Sequence, residues 1–170
     1  MFNVIQSNLN DSDLIPLISD INFLFDTGKW CHTVPYFQTW PNLLESKNLY
    51  WLNYKQKLLN AVKIITNEKI TKIKCWAYKS YLKCPADYEK AWHTHDIDTK
   101  NKISSIFYLL FPEGSNGTEY IDENEEIKIM PFKEKHWTFF PSYLVHRPGF
   151  WDHENMFKSR ITLAADLYFE

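Results

Sequence analysis

The sequence predicts a mainly β domain of the α+β class, with helices confined to the N-terminal third and an antiparallel sandwich or barrel after them. Three observations carry this. The hydrophobic period changes from helical to alternating near residue 68. From there on, seven or eight short apolar runs follow one another with turn residues, and no helical stretch, between them. The 170 residues, 45% of them hydrophobic, suffice for one core without disulfides or a structural metal. The chain therefore reads as a single domain over 1–170, with 1–68 as helical and irregular support and 69–170 as the β core.

Taken in order, residues 11–18 and 49–62 place apolar side chains at helical spacing. In the second run Trp51, Tyr54, Leu58, Ala61, Val62 and Ile65 form one stripe, an amphipathic helix. Between them, residues 30–40 are aromatic and punctuated by Pro35 and, just beyond, Pro41, and read as irregular. Beyond residue 68, the segments 73–82, 103–111, 126–130 and 160–169 alternate as strands do, and 118–121, 136–140 and 143–147 read as shorter strands. Segments 112–117 and 122–125 supply turn chemistry.

Composition excludes several classes. Four glycines and 17% aromatic residues do not describe a collagen, a coiled coil or a disordered chain. A formal net charge of −2 gives no basic face for nucleic acid or acidic lipid. Cys31, Cys75 and Cys84 form no CxxC pair and leave an odd thiol, as expected of reduced, buried cysteines in a cytoplasmic protein. Met1 and Phe2 open no signal peptide, and no apolar run is long enough to span a bilayer. Of the 19 basic residues only Arg147 and Arg160 are arginine, and the Lys, Asn and Ile usage suggests an AT-rich genome.

Among six histidines, His93 and His95 stand at i and i+2, so on a strand they share a face and can share an ion. His146 lies near the end of a later strand. Two neighbouring imidazoles and one distant in sequence are how a β-barrel assembles an open metal site, and neutral imidazole suits Fe, Zn, Cu or Ni. Arg160 and Thr162 share one face of the last strand. If that face lines the barrel lumen, a guanidinium and a hydroxyl lie together in an aromatic cavity, and a buried arginine calls for an anion such as a carboxylate.

Trp92, His93, Thr94 and His95, then Ile103 onward to Leu109, Gly117 with Thr118, Phe139 onward to His146, and Arg160, Ile161 and Thr162 occur in an order that resembles the core of the Fe(II)/2-oxoglutarate-dependent dioxygenases. The likeness is greatest to their small prolyl-hydroxylase-like phage and bacterial members, and it covers roughly residues 73–169. It implies a double-stranded β-helix, a jelly-roll barrel backed by N-terminal helices. It also implies Fe(II) held at His93 and His146, and a 2-oxoglutarate cosubstrate whose far carboxylate meets Arg160, Thr162 and Tyr108. The family pattern is H-x-D or H-x-E, and here His95 stands in the carboxylate's place. His95 as third ligand leaves the metal one negative charge short; Asp96 or Asp98 are the alternatives, although Asp96 points to the opposite face of a continuing strand.

Three readings follow. The first is an Fe(II)- and 2-oxoglutarate-dependent oxygenase that hydroxylates its substrate with release of succinate and CO2. The second is a three-histidine, cupin-type metal dioxygenase without 2-oxoglutarate, and the third is a jelly-roll binding module without catalysis. Segments 84–92 and 149–158 would form the substrate mouth. His136 and His153 read as surface or rim residues, and Trp76, Tyr78, Trp92 and Phe107 as core. The acidic run 122–126 reads as a solvated turn, and Cys31 beside His32 does not make a protease dyad.

Overall fold

The computed structural model describes residues 2–33, 36–81, 91–95, 102–149 and 159–170. Among the described residues the α-helices are α1 (Asp11–Asp26) and α2 (Leu49–Ile65). The strands are β1 (Asn3–Gln6), β2 (Trp30–Thr33), β3 (Tyr36–Thr39), β4 (Ile70–Tyr81), β5 (Lys102–Leu110), β6 (Thr118–Ile121), β7 (Ile127–Ile129), β8 (His136–Pro141), β9 (His146–Pro148) and β10 (Ser159–Phe169). Among the described residues the larger sheet runs β1-β8-β5-β10-β4-β3-β2 and the smaller runs β7-β6-β9. Every pairing in both sheets is antiparallel. Two facing antiparallel sheets with N-terminal helices are the double-stranded β-helix that the sequence predicts.

The helix α1 starts where Asn10 accepts the Asp13 amide and Asp13 accepts the Asn10 amide, a reciprocal cap. It runs past the predicted 11–18 to Asp26, through Pro16, because Leu17, Ile21 and Phe25 continue a buried stripe that repays one missing backbone bond. In α2 the buried residues are Trp51, Tyr54, Leu58, Ala61 and Val62, as the periodicity predicts. Both helices lie on one face of the larger sheet. There they meet Cys75 and Ala77 of β4, Phe107 and Leu109 of β5, Trp137 and Phe139 of β8, and alternate residues of β10. Two polar atoms buried with this core are satisfied within it: the Trp137 indole donates to the Tyr54 hydroxyl at 3.0 Å, and Trp51 donates to Asp20 at 2.6 Å.

Two local readings are corrected, and one strand is added. Segment 30–40 is not irregular: β2 and β3 form a hairpin that extends the sheet beyond β4. Residues 3–6, for which the sequence made no prediction, are an edge strand on β8. The strand expected over 143–147 begins only at His146, because the Leu144 amide turns back to the Pro141 carbonyl at 3.0 Å. The N-terminal residues thus add strands as well as helices. Among the described residues no helix is long and apolar enough to cross a membrane.

The register of β10 places the site. Flanked by β4 and β5, it sets Thr162 opposite Tyr108 and Tyr78, Ala164 opposite Ile106 and Trp76, and Asp166 opposite Ser104 and Lys74. A shift between Ile161 and Thr162 on the β5 side marks a bulge that re-aims the strand beside Arg160.

Candidate metal centre

His93 and His146 face each other across a two-residue antiparallel bridge, exchanging both backbone hydrogen bonds at 3.0 Å. This attaches the segment 91–95 to β9 at the edge of the smaller sheet. Two residues on, the His95 amide donates to the Ser142 carbonyl at 2.8 Å, which turns its ring to the same side as His93. The three rings meet, with centroids 4.4 Å apart for His93 and His146, 4.9 Å for His95 and His146, and 5.0 Å for His93 and His95. One nitrogen of each ring lies within 4.8 Å of the other two, a group able to hold a metal ion.

Hydrogen bonds fix which nitrogen is offered. His93 Nδ1 lies 2.7 Å from the Ala91 carbonyl and His146 Nδ1 lies 2.7 Å from the Leu144 carbonyl. A carbonyl only accepts, so both Nδ1 atoms carry the proton and both Nε2 atoms keep a free lone pair. His95 Nδ1 lies 2.8 Å from Asp166 Oδ1, which fixes the same tautomer. Burial lowers the pKa of His93 and, more strongly, that of His146, where the neighbouring imidazoles add to the effect. Three imidazoles with one nitrogen each convergent suit a divalent transition metal, and an all-imidazole set does not suit Mg²⁺ or Ca²⁺. Phe140 stands edge-on to His146 and Trp76 packs beside His95, so the centre is walled by aromatic rings.

No protein-family model matches the sequence, and no curated protein matches it. Solved structures do match. A prolyl-4-hydroxylase from Pseudomonas putida aligns with 99% of this chain and 92% of its own at TM-score 0.67 and 10% identity. The α-ketoglutarate-dependent epimerase SnoN of nogalamycin biosynthesis aligns with 99% and 78% at TM-score 0.75 and 11% identity. HygX from Streptomyces hygroscopicus, solved with nickel and 2-oxoglutarate bound, aligns with 98% and 82% at TM-score 0.67 and 12% identity. The chain has the prolyl-hydroxylase fold.

Within the prolyl-hydroxylase fold, the sequence-predicted residues divide into two groups. His93, His95, His146 and Thr162 line one narrow pocket, together with Tyr78 and Ala164. Tyr108 and Arg160 are buried nearby with partners of their own. The Tyr108 hydroxyl accepts the Thr118 amide at 2.6 Å and bonds the Thr118 hydroxyl at 2.9 Å. Burial raises its pKa, opposed by the Arg160 charge. Arg160 donates to the Asn116 carbonyl and approaches the Ser80 hydroxyl at 3.5 Å.

Phe107 belongs to the helix-side core, while Trp76 and Tyr78 lie on the β4 face that carries the pocket. Trp92 packs beneath the Arg147 guanidinium at 4.1 Å from its ring centroid. His136 begins β8 opposite Gln6 and bonds the Glu134 carbonyl, outside the histidine group. Cys75 is buried, and burial pushes its thiol up. Asp96, Asp98, Cys84 and His153, the side chains of Cys31 and His32, and nearly all of 84–92 and 149–158 lie outside the described residues.

The sequence reading missed Asp166. It shares the β10 face of Arg160, Thr162 and Ala164, and that parity was the available signal. Asp166 Oδ1 takes hydrogen bonds from His95 and from the Ser104 hydroxyl, each at 2.8 Å, and Oδ2 meets the Lys102 ammonium at 3.0 Å. Burial alone would raise this carboxyl, but those partners outweigh it and hold its pKa below the usual value.

Proposed function

We propose that this protein is a metal-dependent dioxygenase whose ion, iron in the first instance, is held by His93, His95 and His146 without 2-oxoglutarate. One observation carries the reading: among the described residues three imidazoles converge and no carboxylate joins them, and both oxygens of Asp166, the carboxylate behind His95, already have partners. A bound iron would supply oxygen activation there. The chain's part is to hold three nitrogens on one side of the ion, leave the other side to pocket ligands, and exclude water with Phe140, Trp76 and Tyr78.

A second reading, an Fe(II)- and 2-oxoglutarate-dependent hydroxylase, is favoured by one feature. Thr162, on the β10 face that also carries Arg160, lines the histidine pocket, in a fold shared with the HygX structure that holds 2-oxoglutarate. Titration of Fe(II) and then 2-oxoglutarate without oxygen separates the two. We expect iron binding that His146→Ala abolishes and no charge-transfer band on adding the keto acid. A band, with succinate formed on admitting oxygen, would establish the second reading and assign Arg160, Thr162 and Tyr108 to the cosubstrate. A folded protein that binds no iron would leave only a binding module.

A further inference from the structure

We propose that Asp166 is a positioning residue of the metal centre: locked by Lys102 and Ser104, it accepts the His95 Nδ1 proton, fixes that ring and raises the donor strength of its opposite nitrogen. The inference rests on the three-histidine metal site and adds to it a residue that does not touch the ion.

His93 and His146 are oriented by backbone carbonyls two residues earlier in their own segments. His95 alone of the three is oriented by a charged side chain, and that side chain comes from the opposite sheet. Asp166 is buried at 4% exposure, and a carboxylate so placed persists only with full hydrogen bonding and a counter-charge. It has both. Ser104, its cross-strand neighbour on β5, donates to the oxygen that His95 uses. Lys102, itself buried, binds the other oxygen and sits over the Tyr168 ring at 4.6 Å.

The carboxylate therefore cannot turn to the ion without giving up three partners, and it acts through the imidazole. A carboxylate accepting the Nδ1 proton raises the donor strength of the opposite nitrogen and holds the ring plane, and loss of such a partner weakens metal binding by about 10–100-fold. The centre thus keeps a carboxylate in reach of its third ligand although the H-x-D pattern is absent.

Cobalt(II) titration of the folded protein at fixed pH, read by affinity and by the visible cobalt bands, tests this with three variants. Asp166→Asn should weaken binding about 10–100-fold and shift the bands. Lys102→Met, which leaves the carboxylate on His95 without its ammonium, should bind cobalt at least as tightly as the wild type. The double variant Lys102→Met/Asp166→Asn carries no unpaired buried charge, and it should remain as weak as Asp166→Asn. Recovery of wild-type affinity in the double variant would make Asp166 a mere counter-ion for Lys102 and overturn the proposal. So would an Asp166→Asn protein that binds within twofold of the wild type with unshifted bands. A folded wild-type protein that binds no cobalt would overturn the metal site as well, an outcome distinct from the other two.

Discussion

Along β10, Ile161, Leu163, Ala165, Leu167 and Phe169 face the helices, whereas Arg160, Thr162, Ala164 and Asp166 stand on the face turned to the histidines. The two sets interleave residue by residue and are about equally buried. Their chemistry is opposite. The helix face is wholly apolar and gains its free energy from area removed from water, about 1.5–3 kcal/mol for each large side chain. The histidine face carries a guanidinium, a hydroxyl and a carboxylate, and the two charged groups are buried against polar partners, Arg160 on the Asn116 carbonyl and Asp166 on His95, Ser104 and Lys102. Burial by itself therefore does not distinguish scaffold from site in this protein. The distinction lies in what a side chain touches, and side-chain parity on a single strand separates the two.

The largest break in that comparison should come from the helix face. Trp137 is fully buried, packed against Tyr54 and Phe107, and bonded to the Tyr54 hydroxyl. Trp137→Ala should cost about 3–5 kcal/mol, read as a fall in the urea midpoint, and could leave the protein unfolded at room temperature. An equal loss from His146→Ala would mean that the histidine face is part of the scaffold.

Neighbours on β10 sharpen the contrast. Leu163→Ala should cost about 2–5 kcal/mol. Thr162→Val, one residue away on the other face, should change stability by less than about 1 kcal/mol. Equal effects in urea melts would erase the difference between the faces.

The histidine face should respond to its ion instead. Cobalt(II) at a hundred times its Kd should stabilise the wild-type protein by about 2.7 kcal/mol and leave His146→Ala unmoved. Removing the ion with a chelator should return the wild type to its starting melting temperature.

The smallest effect lies outside both faces. Asp122 accepts the Glu126 and Asn124 amides at 2.9 Å each, with Lys128 at 3.8 Å, and these hold its carboxyl below the usual value. A depressed carboxyl stabilises the fold fully above its unfolded value and loses that contribution as pH falls through the folded one. Asp122→Asn should therefore flatten a slight acid dependence of hydrogen exchange in the turn between β6 and β7. A change at the histidines in the same variant would show that the turn and the centre are linked.

What the sequence disclosed follows the same division. The α2 stripe and the alternation of β10 were readable because each repeats over many residues with one buried face. The strand β1, four residues long and mostly exposed, has no such pattern, and its place on β8 is decided by the rest of the sheet. The β2–β3 hairpin was hidden by Pro35, which reads as a breaker in isolation. At the site, the i, i+2 spacing disclosed His93 and His95, and the place of His146 near the end of a later strand, with the resemblance, joined it to them. The link from His95 through Asp166 to Lys102 stayed invisible, because it joins residues 95, 102 and 166 through strand register rather than through spacing.

The central place of β10 in the larger sheet has a consequence for how the protein is made. β4 and β5 do not pair with each other; each waits for β10, whose residues are synthesised some fifty or more positions later. Until then both strands present open edges to the cell, and the chain is at its most vulnerable to wrong partners. Closing a sheet by inserting its middle strand last is slow, because the contacts are distant in sequence. The carboxylate that steadies His95 arrives with that same strand. A nascent chain already carrying His93, His95 and His146 still lacks the carboxylate that hydrogen-bonds His95.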